Sequence, residues 1–145
     1  MKQDPVNWDT EGQLFVISGG GPDTMIHSVF LHGTSTRAIA IKEAYAISGL
    51  TGHKQELMAN VQYKGYYPVS QVDIPPEAPI WLELVLKPPL SIRDFLEQWG
   101  RFRVTIVYQE GPTYEREFDE AYVLKRLRQA SPGAFGPRVT PKADK

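Results

Sequence analysis

The chain contains no cysteine. That single absence excludes disulfides, thiolate nucleophiles, iron–sulfur clusters and zinc sites built on Cys. It does not choose a compartment, because a Cys-free domain survives in reducing and oxidising surroundings alike. An excess of charge of one sign is also missing: 16 Lys and Arg against 17 Asp and Glu leave a net charge of −1. Nucleic-acid binders usually carry a strongly basic face or tail, and membrane-surface binders a polybasic segment; neither is present. No stretch approaches the roughly 20 apolar residues of a membrane helix, so no direct membrane insertion by this chain is expected. Met1-Lys2-Gln3-Asp4-Pro5 leads into no apolar h-region, and no signal peptide is read there.

What is there fits one domain: 145 residues, 41% of them hydrophobic. Residues 1–12 are polar apart from Val6 and Trp8 and read as a flexible lead-in. Residues 130–145 carry Pro132, Gly133, Gly136, Pro137 and Pro141 with few apolar groups. Such a segment cannot offset its own ordering entropy, and a disordered tail is expected. The domain is then 13–129, without internal repeats.

Within it, short apolar runs alternate with turn residues: 13–18, 25–32, 37–48, 56–63, 69–74, 79–86, 101–109 and 114–118. Several have period two. Phe102, Val104, Ile106 and Tyr108 share one side of their run; Ile80, Leu82, Leu84 and Leu86 share another, opposite Trp81, Glu83 and Val85. Ile39, Ile41, Tyr45 and Ile47 do the same opposite small alanines, with Glu43 as a misfit. Side chains of a strand point alternately to opposite faces, so each run can bury one stripe. Seven or eight such strands argue for an antiparallel β-sandwich or barrel.

One segment breaks the pattern. Ser91 followed by Asp94 has the form of a helix cap, and Ile92, Phe95, Leu96 and Trp99 fall at i, i+3, i+4 and i+7 before Gly100. A helix over 91–99 is predicted, too short to hold alone in water, so its apolar stripe must dock. The side of strand 79–86 carrying Trp81 and Val85 is its expected partner. A second helix is predicted over 119–129, with Val123 and Leu127 inward.

Candidate chemistry is sparse. The three histidines are His27, His32 and His53. A metal site needs convergence, and two positions five apart in a strand face opposite ways unless a bulge intervenes. Ser18-Gly19-Gly20-Gly21-Pro22 and Gly49-Leu50-Thr51-Gly52-His53-Lys54 lack the spacing of a phosphate loop and read as strand connections. Glu115, Glu117, Asp119 and Glu120 form the densest acidic cluster. Paired carboxylates can do acid–base work, but a solvated, aggregation-resistant edge explains them as well. Lys125, Arg126 and Arg128 follow closely, where they can pair with these acids. Tyr63-Lys64-Gly65-Tyr66-Tyr67-Pro68 gathers three tyrosines around a glycine at an expected loop. Clustered tyrosines suit proteins, peptides or sugar faces, because each combines apolar area with a hydroxyl; the plainer reading folds them over the end of the core.

Four stretches carry a resemblance: Ser48-Gly49-Leu50-Thr51-Gly52, Pro75-Pro76-Glu77-Ala78-Pro79-Ile80, Asp94-Phe95-Leu96-Glu97-Gln98-Trp99-Gly100 and Tyr114-Glu115-Arg116-Glu117-Phe118-Asp119. Over about half the chain this resembles uncharacterised, mainly proteobacterial proteins in which an immunoglobulin-like soluble domain follows a membrane-spanning region. The resemblance implies an immunoglobulin-like β-sandwich and a periplasmic or membrane-proximal setting if the chain is part of a longer one; otherwise the expected setting is cytoplasmic. It implies no activity and no catalytic residues.

The sequence therefore reads as a mainly β, immunoglobulin-like antiparallel sandwich of seven or eight strands with a helix inserted at 91–99. Its expected role is a non-enzymatic binding or scaffolding module for a protein or carbohydrate partner. No cofactor, metal or catalytic residue is expected. The contact candidates are Tyr63, Tyr66, Tyr67 and Trp81. Two alternatives stand beside it: a hydrolase or carbohydrate-acting enzyme using Glu115 and Glu117, and a structural module forming a homodimer through strand 79–86.

Overall fold

A computed structural model describes residues 5–8, 14–61, 66–68, 73–110 and 113–130. Among them are eleven strands and two α-helices. The strands are β1 (Val6–Trp8), β2 (Leu14–Ser18), β3 (Met25–Ser35), β4 (Ile39–Ser48), β5 (Lys54–Glu56), β6 (Met58–Val61), β7 (Tyr66–Pro68), β8 (Asp73–Ile74), β9 (Pro79–Ser91), β10 (Phe102–Tyr108) and β11 (Thr113–Phe118). The helices are α1 (Ile92–Trp99) and α2 (Glu120–Ala130). One sheet runs β1-β3-β9-β6-β7, with β2 also on β3; the second runs β11-β10-β4-β5, with β8 also on β4. All pairs are antiparallel. The fold is a β-sandwich, as the period-two runs predict.

The expected inner stripes are in place on β9 and β10. Ile80, Leu82, Leu84 and Leu86 are buried, as are Phe102, Val104, Ile106 and Tyr108. On β4 the expectation fails halfway. Ile39 and Ile41 are buried, but so are Ala44, Ala46 and Ser48, while Tyr45 and Ile47 lie only partly covered. The register explains it: Tyr108 pairs with Ile41 and Val107 with Glu43, so Lys42 is an extra residue. One inserted residue reverses every side chain beyond it. Glu43 is thus the sign of a bulge, and the buried alanines line the interior, Ala46 beside Phe102 and Phe118.

Strand count departs from expectation for local reasons. The run at 56–63 divides at buried Leu57: β5 belongs to the second sheet and β6 to the first, with the Leu57 N–H donating to the Ala44 carbonyl at 3.0 Å. Strand β9 continues past Leu86 through Pro88 and Pro89, which occupy a bulge between the pairs Ser28–Val85 and Ile26–Leu90. Proline cannot donate to a ladder, so a bulge is where it fits. The predicted lead-in is also corrected at Val6–Trp8: β1 pairs with β3, and Val6 and Trp8 are buried. Three residues are too few to show a period, but two large apolar groups on alternate positions can still seal a sheet edge. Tyr66 and Tyr67, expected in a loop, lie in β7. The disordered tail expected beyond Ala130 lies outside the described residues.

Helix α1 has the predicted cap, with the Ser91 hydroxyl accepting from the Asp94 N–H at 3.1 Å. Gly100 caps its end, and only glycine fits there: its φ of −64° is one any residue adopts, but a Cβ would come within 2.4 Å of the Leu96 carbonyl oxygen. Phe95 and Trp99 are completely buried. At about 1.5–3 kcal/mol for each large side chain removed from water, this burial holds a helix too short to persist alone. Helix α2 is capped by Asp119, whose carboxylate accepts from the Tyr122 N–H at 2.8 Å, and it buries Val123 and Leu127 as predicted.

Candidate functional site

The docking of α1 decides which surfaces remain open. Phe95 meets Phe15 edge-on at 6.0 Å; Trp99 meets Phe102 at 5.9 Å and His53 at 5.8 Å. Phe15 pairs with inward-facing Val29, so the helix stripe closes the end of the sandwich core. It does not lie over the Trp81 and Val85 side of β9, as the sequence suggested. Periodicity identifies the buried face of a helix but not the surface that receives it.

Trp81 instead stands on the outer face of the first sheet. Its ring packs on His32 with centroids 4.9 Å apart, and it is half-buried. The register places it in a row across four strands: His32 on β3 opposite Trp81 on β9, Trp81 opposite Asn60 on β6, and Asn60 opposite Tyr66 on β7. Tyr66 and Trp81, separate candidates in the sequence, therefore hold positions in one cross-strand row. Tyr67 is the next β7 residue, opposite Ala59. Tyr63 lies outside the described residues, as do the side chains of Tyr66 and Tyr67.

The neighbouring row places Glu83 between Phe30 on β3 and Met58 on β6. Glu83 is on the same face as Trp81, two residues along β9, and is only 8% exposed. Among the described residues it makes no hydrogen bond or ion pair. In the sequence Glu83 is only the polar member of an alternating strand; its burial depends on the strands to either side.

The other candidates do not converge. His27 Nε2 lies 2.6 Å from the Ser18 hydroxyl, His32 stacks on Trp81 and His53 on Trp99. A bulge at His27 does intervene, since Val16 pairs with Ser28 and Ile17 with Ile26, yet the two β3 histidines keep different partners. No group of three metal-ligating side chains occurs among the described residues. Glu115 and Glu117 share the outer face of β11 as alternation predicts, both exposed, opposite Thr105 and Arg103. Asp119 is used as a helix cap. The glycine-rich segment after Ser18 is a strand connection, with φ of +74° at Gly19, a conformation that favours glycine. A groove of about 360 Å³ at the end of the sandwich away from α1 is lined by Arg37, Ile39, Asp73, Ile74, Gln109 and Glu110. Its charged members are all exposed, so no ionisable group is held out of water there.

No protein-family model matches the chain, and no curated protein matches it. A solved structure does. A chain of the archaellum periplasmic stator protein complex FlaF and FlaG from Sulfolobus acidocaldarius is 16% identical, over 81% of this chain and 91% of that one, with a TM-score of 0.42. That match is archaeal and gives no support to the proteobacterial resemblance, of which the β-sandwich stands on the strand pairing itself. The described residues contain no helix long and apolar enough to cross a membrane.

Proposed function

We propose that this chain is a non-enzymatic binding module whose contact surface is the outer face of the β1-β3-β9-β6-β7 sheet, centred on Trp81 and extended by Tyr66 and Tyr63, while Tyr67, in register with buried Ala59, is left out of it. The observation that carries it is the row His32–Trp81–Asn60–Tyr66, which brings aromatic positions from distant parts of the chain onto adjoining strands of one sheet. Exposed aromatic surface on a rigid sheet is where interfaces place their energetically dominant contacts. A protein partner is the leading reading. The periplasmic or membrane-proximal setting implied by the sequence resemblance belongs to the same proposal.

The test compares affinity capture by the wild-type chain with capture by a Tyr63→Ala, Tyr66→Ala double variant and by Trp81→Ala. Binding should weaken by about tenfold or more, as for central aromatic contacts, with nearly unchanged thermal stability in the double variant. A collapse of stability would assign the tyrosines to the core, and full capture by Trp81→Ala would remove this face from the interaction.

The self-association reading narrows. Strand β9 is paired on both sides, by β3 and β6, so a second copy could reach only its outer face and not its backbone edge. Light scattering before and after Trp81→Lys tests that form; a monomer in both removes it.

A further inference from the structure

We infer that residues 131–145 fold back over the end of the sandwich and seat Phe135 in a groove between α1 and the turn that follows β2. This goes beyond the binding-module reading and concerns a different surface. The groove, of about 540 Å³, is lined by Pro22, Ser91, Ile92, Arg93, Leu96 and Glu97. It exists because the apolar stripe of α1 is only half used. Phe95 and Trp99 are completely buried, whereas Ile92 and Leu96, neighbours one turn apart, stay partly exposed beside exposed Pro22. Apolar side chains gathered in an open groove mark a contact surface.

The chain itself supplies the occupant. Residues 131–145 continue from Ala130, where α2 ends. Their large apolar side chains are Phe135 and Val139, set among Pro132, Pro137 and Pro141. Proline opposes helix and favours extended backbone, and the five residues to Phe135 then span about 17 Å. The starting point is near the groove. Helix α2 packs against β2, α1 meets the same strand through Phe95 on Phe15, and β2 leads into the turn that carries Pro22.

Charge agrees with this pairing. Exposed Asp23, Asp94 and Glu97 outnumber Arg93 at the rim. Residues 131–145 carry Arg138, Lys142 and Lys145 against Asp144. Arg93 Nε lies 3.5 Å from Glu97, but both side chains are highly exposed, so that weak pair leaves the Glu97 carboxylate open to Arg138. Tethering decides between the chain's own end and a free partner. A short flexible connection holds Phe135 at about millimolar local concentration, so a groove with few apolar contacts is filled from within the chain.

The chain has no cysteine, so Thr140→Cys provides a unique attachment point for a nitroxide on the full-length protein. In the ¹⁵N-labelled chain the Ile92, Leu96 and Glu97 amide signals should broaden and recover when the nitroxide is reduced. The Gly33 amide and the Trp8 indole, at the opposite end of β3 from its Met25–Ser91 pair, should stay sharp. Adding Phe135→Ser and Val139→Ser, both beyond the last helix, should abolish the broadening while leaving the sandwich spectrum in place. Unbroadened Ile92 and Leu96 signals, broadening shared equally by Gly33 and Trp8, or broadening that survives the two serines overturns the inference. So does equal broadening of the groove when ¹⁵N-labelled chain without nitroxide is mixed with unlabelled chain that carries it, which would make a second copy the occupant. None of these signals reports on Trp81, so this result and the test of the outer sheet face fail or succeed separately.

Discussion

The Trp8 indole N–H donates to the Tyr108 hydroxyl at 2.9 Å, across 100 residues of sequence and between the two sheets. Both side chains are buried, at 7% and 3% exposure, and the Trp8 ring also lies 5.8 Å from that of Tyr114. The bond ties the three-residue strand β1 to the wall opposite. Tyr108→Phe leaves the indole N–H buried without this acceptor, which costs about 1–3 kcal/mol. Urea denaturation should show a lower midpoint at unchanged slope.

Gly33 makes the same corner from beneath. A Cβ at that position would come within 2.6 Å of the Trp8 ring and 2.7 Å of a Val6 methyl. Overpacking of this kind typically costs about 1–3 kcal/mol. Gly33→Ala is expected to lower stability by that amount and to speed amide exchange in β1 ahead of the other strands, a comparison hydrogen exchange can make directly.

The cap of α1 has its own signature. Ser91→Ala removes the acceptor of the Asp94 N–H and should cost about 0.5–2 kcal/mol, whereas Ser91→Asp retains it. Thermal unfolding of the three proteins should rank Ala below both Ser and Asp. Equal melting of all three would mean that Phe95 and Trp99 alone fix the helix.

Arg116 is the inward residue between two outward glutamates on β11, the strand that ends its sheet. It pairs with buried Val104, and its guanidinium lies 4.7 Å from the Phe118 ring and 5.5 Å from that of Tyr122. An inward-pointing charge on an edge strand discourages other strands from adding to it. Arg116→Val should raise the tendency to associate, seen as concentration-dependent dimers or larger species in size-exclusion chromatography. A strictly monomeric variant would show that the charge has no such role.

The sequence by itself determined what depends on near neighbours. Alternation marked the inner stripes of β9 and β10, and the capping serine, the 3.6-residue stripe and the closing glycine marked α1. The same local order marked Val123 and Leu127 as the buried side of α2. Tertiary structure decided what depends on pairing between distant strands. The extra residue at Lys42 reverses the second half of β4, and it is recognised only against the register of β10. The run of apolar residues on α1 looks the same whether it covers an outer sheet face or plugs the end of the core; the position of Phe15 and Phe102 settles that. The row that joins His32, Trp81, Asn60 and Tyr66 likewise exists only once four strands are laid side by side, because a strand's own sequence fixes the face of each residue but not what stands opposite it.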